Sequence, residues 1–319
     1  MHETPGAWVP ASGTTSFPLQ GKRILVTRAR EQAGALSDRL RELGAIPVEF
    51  PTIHIVPPEN WALLDDALRR LCACRPPMNR GTGEAREAVS YYAWLVFTSA
   101  NGVNICFDRL NTLACNAQNI GNVRVAAIGP ATAQALRRYG VKPDLVPGEY
   151  IAEGVAAALI EDAHRDGESL EGKHILILRA AEARKVLVEE LQRAGAIVEE
   201  VAAYRTRGAV IDNEHGHEVL RLLQAGQLDI LTFTSSSSVR HFVQWLADWT
   251  PGAAGSPIIL VTHNSQLKIA CIGPITSQTA RELGLDVQIE ASEFTIDGLV
   301  EAIVQHEETA SVTQSPERG

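Results

Sequence analysis

The sequence predicts a doubly wound α/β protein built from two similar lobes, and three observations predict it. The first is an internal repeat. Ile24-Leu25-Val26-Thr27-Arg28 returns as Ile175-Leu176-Ile177-Leu178-Arg179, and Leu40-Arg41-Glu42-Leu43-Gly44-Ala45-Ile46 returns as Leu191-Gln192-Arg193-Ala194-Gly195-Ala196-Ile197. Phe97-Thr98-Ser99 with Val103 returns as Phe233-Thr234-Ser235 with Val239, and Ile128-Gly129-Pro130-Ala131-Thr132 as Ile272-Gly273-Pro274-Ile275-Thr276. A period of about 150 residues excludes solenoids and propellers and fits a duplicated domain. The second observation is that short apolar runs alternate with helix-period segments, as in a parallel sheet. The third is the punctuation of those runs by Thr-Ser or Gly-Pro, both good helix-start chemistry.

The elements follow in order. Lys22 to Thr27 is a buried strand; Ala33, Leu36, Leu40 and Leu43 recur at helical spacing, Gly44 closes that helix as a left-handed cap, and Ala45 to Phe50 is a second strand. The second copy has a strand at His174 to Leu178, a helix on Val186, Leu187 and Leu191, a cap at Gly195 and a strand at Ile197 to Ala202. Trp94 to Phe97 and Asp229 to Phe233 are strands that stop at Thr-Ser; Arg124 to Ile128 and Lys268 to Ile272 stop at Gly-Pro. Pro143 to Val146 and Val287 to Glu290 are expected as last strands, and Gly154 and Gly298 as openers of terminal helices. About five strands per half, alternating with helices, is the flavodoxin-like pattern, in which ligands bind beyond the carboxyl ends of the strands. Two similar lobes are expected to share a cleft.

Composition narrows the function classes. A net charge of −9 argues against general nucleic-acid binding. No apolar run is long enough to span a bilayer. Residues 1–18 lack the basic and apolar regions of a signal peptide, so a disordered leader, a cytoplasmic location and reduced cysteines are expected. Residues 307–319 are polar and expected to be a disordered tail; Cys72 to Ser90 and Thr250 to Pro257 are expected insertions. His215 and His217 form HxH in a loop rich in acids with no third ligand at sensible spacing, so no metal is expected. There is no GxGxxG after the first strand, no GxxxxGK[ST] and no GxSxG, which leaves nucleotide binding and a hydrolase elbow unsupported.

The site candidates gather at the strand ends. Thr98-Ser99 and Thr234-Ser235 are read either as helix caps or, through the free N–H groups there, as anion sites, with Ser236 as a further hydroxyl donor. Arg28 and Arg179 end equivalent strands and are either ion-paired or carboxylate clamps, with Arg184 and Lys185 close by. Tyr204 is either packing or, beside a cleft, a phenol with a proton to give.

This ordered motif set, with Asn101-Gly102-Val103 and Tyr204, resembles the uroporphyrinogen-III synthase family over about residues 20 to 306. The resemblance implies that the lobes exchange halves: residues 19–52 join 207–306 in one lobe, 53–206 form the other, and a two-strand hinge connects them. It implies cyclisation of hydroxymethylbilane, a linear tetrapyrrole carrying many carboxylates, with inversion of ring D, loss of water and no cofactor. A monomer is implied, as is transient contact with the preceding enzyme of tetrapyrrole synthesis, with no membrane or nucleic-acid partner. Arg28, Thr98, Ser99, Asn101, Gly129, Thr132, Arg179, Arg184, Thr234, Ser235, Ser236, Gly273 and Thr276 would bind the substrate, and Tyr204 would help hydroxide leave. The chain departs from many bacterial relatives at Ala180, Ala181 and Ala183, where they carry glycines. The alternative is a non-catalytic two-lobed protein that binds a small molecule or regulates; the former would want a secretion signal and the latter a fused DNA-binding or response-regulator domain.

Overall fold

The computed structural model describes residues 17–72, 90–115, 120, 123–211, 213–249 and 266–313. They divide into two compact units, one built from the chain up to Ile53 together with the chain from Gly208 onward, the other from His54–Arg207.

In the discontinuous unit, β1 (Arg23–Val26), α1 (Arg30–Glu42) and β2 (Ile46–Glu49) form the first βαβ, and the chain returns for α7 (Asn213–Gln224), β8 (Ile230–Phe233), α8 (Ser236–Trp249), β9 (Lys268–Cys271), α9 (Pro274–Glu282), β10 (Ile289–Glu290) and α10 (Ile296–Thr313). The sheet order is β10-β9-β8-β1-β2, parallel at every pairing. Leu25 stands opposite Leu231 across more than two hundred residues of chain. Strand alternation builds one core on each face of the sheet. Leu25, Leu231, Phe233 and Ile269 pack with residues of α7 and α8, whereas Ile24, Val26, Ile230 and Ala270 pack with α1 and α10.

The continuous unit runs β3 (Ile53–Val56), α2 (Ala62–Cys72), β4 (Trp94–Phe97), α3 (Ala100–Thr112), β5 (Arg124–Ala127), α4 (Pro130–Arg138), α5 (Ala152–Arg165), β6 (His174–Ala180), α6 (Val186–Arg193) and β7 (Ile197–Gly208), with sheet order β3-β7-β6-β4-β5. Leu95 pairs with Leu176 here, so Leu25 and Leu95 lie in different sheets. The exchange of halves expected from the resemblance is therefore the observed topology. Both passages of chain between the units run through strands, β3 and β7.

Several local expectations hold and others do not. Gly44 and Gly195 follow α1 and α6 with φ of +88° and +86°, the left-handed region in which a Cβ is costly. The first of the two expected last strands shrinks to a single bridge between Ala126 and Leu145. His215 and His217 sit on helix α7 rather than in a loop; residues two apart on a helix do not share a face. The tail expected to be disordered from residue 307 instead continues α10 to Thr313. That helix is held by Leu299, Val300 and Ile303, all in the core, and propagates past its anchored turns. Of the expected leader, Pro18 begins a turn into buried Leu19, and residues 1–16 lie outside the described residues, as do 73–89 of the first expected insertion and all of the second, 250–257.

Candidate functional site

In each unit the order of strands reverses next to one central strand, β1 in the first and β6 in the second. Polar side chains gather at the carboxyl ends of the strands on either side of that point, the place where open α/β sheets bind ligands.

In the continuous unit, Ser99 follows β4 with extended dihedrals and caps α3, its Oγ accepting from the Gly102 N–H at 3.1 Å. A Cβ at Gly102 would stand 3.2 Å from the Leu178 carbonyl oxygen, so glycine lets the first turn of α3 close onto the end of β6. The same Ser99 Oγ lies 2.8 Å from the Tyr204 hydroxyl. Tyr204 owes its aim to an irregularity: the register between β6 and β7 shifts at Arg179/Ala180, pairing Arg179 with Ala202 but Ala180 with Tyr204. The shift puts Ala203 and Tyr204 in one core cluster, although consecutive strand residues normally face opposite ways. Burial raises the phenol above its ordinary range, partly offset by hydrogen bonds with Ser99 and Asn101. The result is a protonated phenol, 6% exposed, held between two polar side chains.

Of the two readings of the serines, the helix cap is the one observed. Ser99 and Ser235 are helix caps; Ser235 Oγ accepts from the Ser238 N–H at 3.1 Å. Ser236 is taken up inside the unit, its hydroxyl 2.8 Å from that of Thr279 and 3.3 Å from the Ile275 carbonyl, which ties α8 to α9. Thr98, Asn101 and Thr234 are half-buried at the strand ends.

The two equivalent arginines have diverged. Arg179 is 3% exposed, donates to the Arg184 carbonyl and lies 3.5 Å from Glu200. Arg184 is exposed and makes a two-point contact with Glu153 at 3.0 and 3.3 Å. In this conformation the Arg184 carbonyl and Glu200 engage Arg179 and Glu153 engages Arg184, although Arg179 Nε lies buried without a hydrogen-bond partner among the described residues. Arg28 differs. Its Nε donates to Gln32 at 3.2 Å, while its Nη1 is buried with no hydrogen-bond partner among the described residues. Burial depresses its pKa, as expected of a cation short of counter-charge.

Gly129 and Gly273 precede α4 and α9, which begin with proline, and Thr132 and Thr276 are the third residues of those helices. Both threonines are nearly buried, at 3% and 5% exposure. An aromatic ring covers each glycine, Tyr150 over Gly129 and Phe294 over Gly273. Neither ring was a candidate from the sequence, although Glu149-Tyr150 and Glu293-Phe294 repeat at equivalent places and would have pointed to them.

Among the described residues, no group of three His, Cys, Asp or Glu side chains could hold a metal ion, and no helix is long and apolar enough to cross a membrane.

Fold and site together define a two-unit, doubly wound α/β protein with exchanged halves and hydroxyl-rich strand ends. The model of the family described as uroporphyrinogen-III synthase HemD matches residues 34–301, and the chain belongs to that family. It is 34% identical to the uroporphyrinogen-III synthase of Synechococcus elongatus over 90% of this chain and 96% of that protein. It is 26% identical to that of Chlorobaculum parvum over 89% and 98%. A mutant uroporphyrinogen III synthase from the extremely thermophilic bacterium Thermus thermophilus, 17% identical, shares the fold with a TM-score of 0.57 over 91% of this chain and all of that one.

Proposed function

We propose that this protein closes hydroxymethylbilane into uroporphyrinogen III, with the terminal ring inverted and one water lost. The observation that carries the reading is family membership across both halves of the exchanged fold, from residue 34 to residue 301.

The geometry suits a reaction that needs direction more than force. The hydroxymethyl oxygen leaves as water, keeping the carbon–oxygen bonding pair and taking the phenolic proton of Tyr204, while the lone pair of the neighbouring pyrrole nitrogen is drawn into the ring to form a new double bond to the carbon that lost it. The terminal ring attacks the resulting azafulvene cation through its substituted carbon, and the spiro intermediate fragments and recloses. A proton lost from the newly joined pyrrole carbon restores the phenol. A phenol kept protonated by burial is a competent donor to an oxygen that is becoming hydroxide.

Substrate carboxylates take the remaining donors. Arg28 Nη1 has unspent hydrogen-bonding capacity, and the N-termini of α3, α4, α8 and α9 offer N–H groups and hydroxyls. Holding both ends of a flexible tetrapyrrole in one geometry supplies the selectivity, since the free substrate cyclises unaided to the other isomer. The chain works in the cytoplasm and receives its unstable substrate from the preceding enzyme of tetrapyrrole synthesis. Turnover of freshly made hydroxymethylbilane, followed by oxidation and separation of the porphyrin isomers, tests the reading.

A further inference from the structure

A second repeat lies beyond the motifs that reveal the family. Glu149-Tyr150-Ile151-Ala152-Glu153-Gly154 in the continuous unit corresponds to Glu293-Phe294-Thr295-Ile296-Asp297-Gly298 in the other. Each segment is a tight return into a helix. A Cβ at Gly154 would stand 2.3 Å from the Glu149 carbonyl oxygen, and one at Gly298 2.2 Å from that of Glu293, so neither position admits a side chain. The return fixes the residue that follows the glutamate, and that residue is aromatic in both copies.

The rings land on the glycines that open α4 and α9. A Cβ on Gly129 would come within 3.1 Å of Tyr150 Cγ, and one on Gly273 within 2.8 Å of Phe294 Cδ1. Gly129 and Gly273 have φ of −170° and 170°, extended backbone open to any residue. The ring, and not the backbone, is what crowds a side chain there. Nor is this ordinary core packing: Tyr150 and Phe294 are only half-buried, whereas Phe97 and Phe233 are fully enclosed.

We propose that Tyr150 and Phe294 are matched positioning residues for ring closure. Each ring, seated on a side-chain-free glycine, sets the first turn of its helix and with it Thr132 or Thr276. The inference rests on the functional reading above and adds to it how the carboxylate-binding helix ends are held in register.

The test is a double-mutant cycle read by product isomer as well as by rate. Tyr150→Ala removes the ring, Gly129→Ala displaces it, and both are compared with the double variant and with Tyr150→Phe. We expect each single variant to lose on the order of 10- to 100-fold in kcat/KM and to shift product toward the type I isomer. The double variant should lose no more than the worse single one, because both changes break one contact. Tyr150→Phe, which keeps a ring as Phe294 does, should recover the type III fraction. Thermal unfolding is followed for every variant; if Tyr150→Ala does not fold, Gly129→Ala reports the same contact from its other side. A wild-type isomer ratio in folded Tyr150→Ala or Gly129→Ala, or additive losses in the double variant, would overturn the proposal. Type I product from the wild-type protein would instead overturn the functional reading, and this inference with it.

Discussion

The Tyr204 hydroxyl lies 2.8 Å from Ser99 Oγ, joining the last strand of the continuous unit to the cap of α3. Since the same Oγ also caps the helix, Ser99 serves two neighbours and Tyr204 has a second partner in Asn101. The account therefore predicts unequal losses. Tyr204→Phe removes the proton and should lower kcat/KM by about 10²-fold. Ser99→Ala removes the neutral hydrogen bond to Tyr204 together with the α3 cap, and the first loss should lower kcat/KM by about 1 kcal/mol in ΔΔG‡. Steady-state kinetics on folded variants decide it; full activity in Tyr204→Phe would remove the phenol from the mechanism.

The two strand-end arginines should separate binding from stability. Arg28→Ala should raise KM by about tenfold or more, because an unspent guanidinium donor to a carboxylate is lost. Arg179→Ala should leave KM nearly unchanged and lower unfolding free energy by about 1–3 kcal/mol, since the Arg184 carbonyl and Glu200 lose their partner. KM measurements paired with denaturant titrations check both halves; the reverse pattern would reassign the residues.

Alkaline pH should reveal the buried phenols. Tyr92 and Tyr204 are both raised above the ordinary phenol range, chiefly by burial. The unfolded chain then ionises at lower pH than the folded one and binds fewer protons. Stability is therefore untouched below about pH 10 and falls as pH rises through and beyond that value. Tyr204→Phe should flatten that alkaline fall in thermal unfolding; an unchanged slope would place the phenol in contact with water.

The thiols should report the same cores. Burial pushes Cys271 up to about 12 and raises Cys106 as well, and both side chains are fully enclosed. Neither should be alkylated at neutral pH until the protein unfolds. Mass spectrometry of peptides from native and denatured protein checks this, and rapid native labelling of either cysteine would contradict the packing.

Legibility varied with how local the cause was. Buried parallel strands such as Ile175–Leu178 and Ile230–Phe233 are near-continuous apolar runs, so they could be read directly. The pairing of Leu25 with Leu231 was not legible from periodicity; it entered only through the resemblance, because strand order is a long-range property. Arg28 and Arg179 look alike in sequence and differ only in what surrounds them, Glu200 and the Arg184 carbonyl having no counterpart shown at Arg28. The aim of Tyr204 depends on a register shift that nothing in the local sequence marks. Tyr150 and Phe294 were legible as a repeated Glu-aromatic pair, but their contact with a glycine some twenty residues upstream was not.

The central claim is that this chain imposes ring inversion on a substrate that would otherwise close without it. The most direct test supplies fresh hydroxymethylbilane to purified protein with a chelator present and separates the oxidised products by isomer. The account predicts mainly the type III isomer, formed faster than the uncatalysed reaction. Type I product alone, at the rate of the protein-free control, would contradict it.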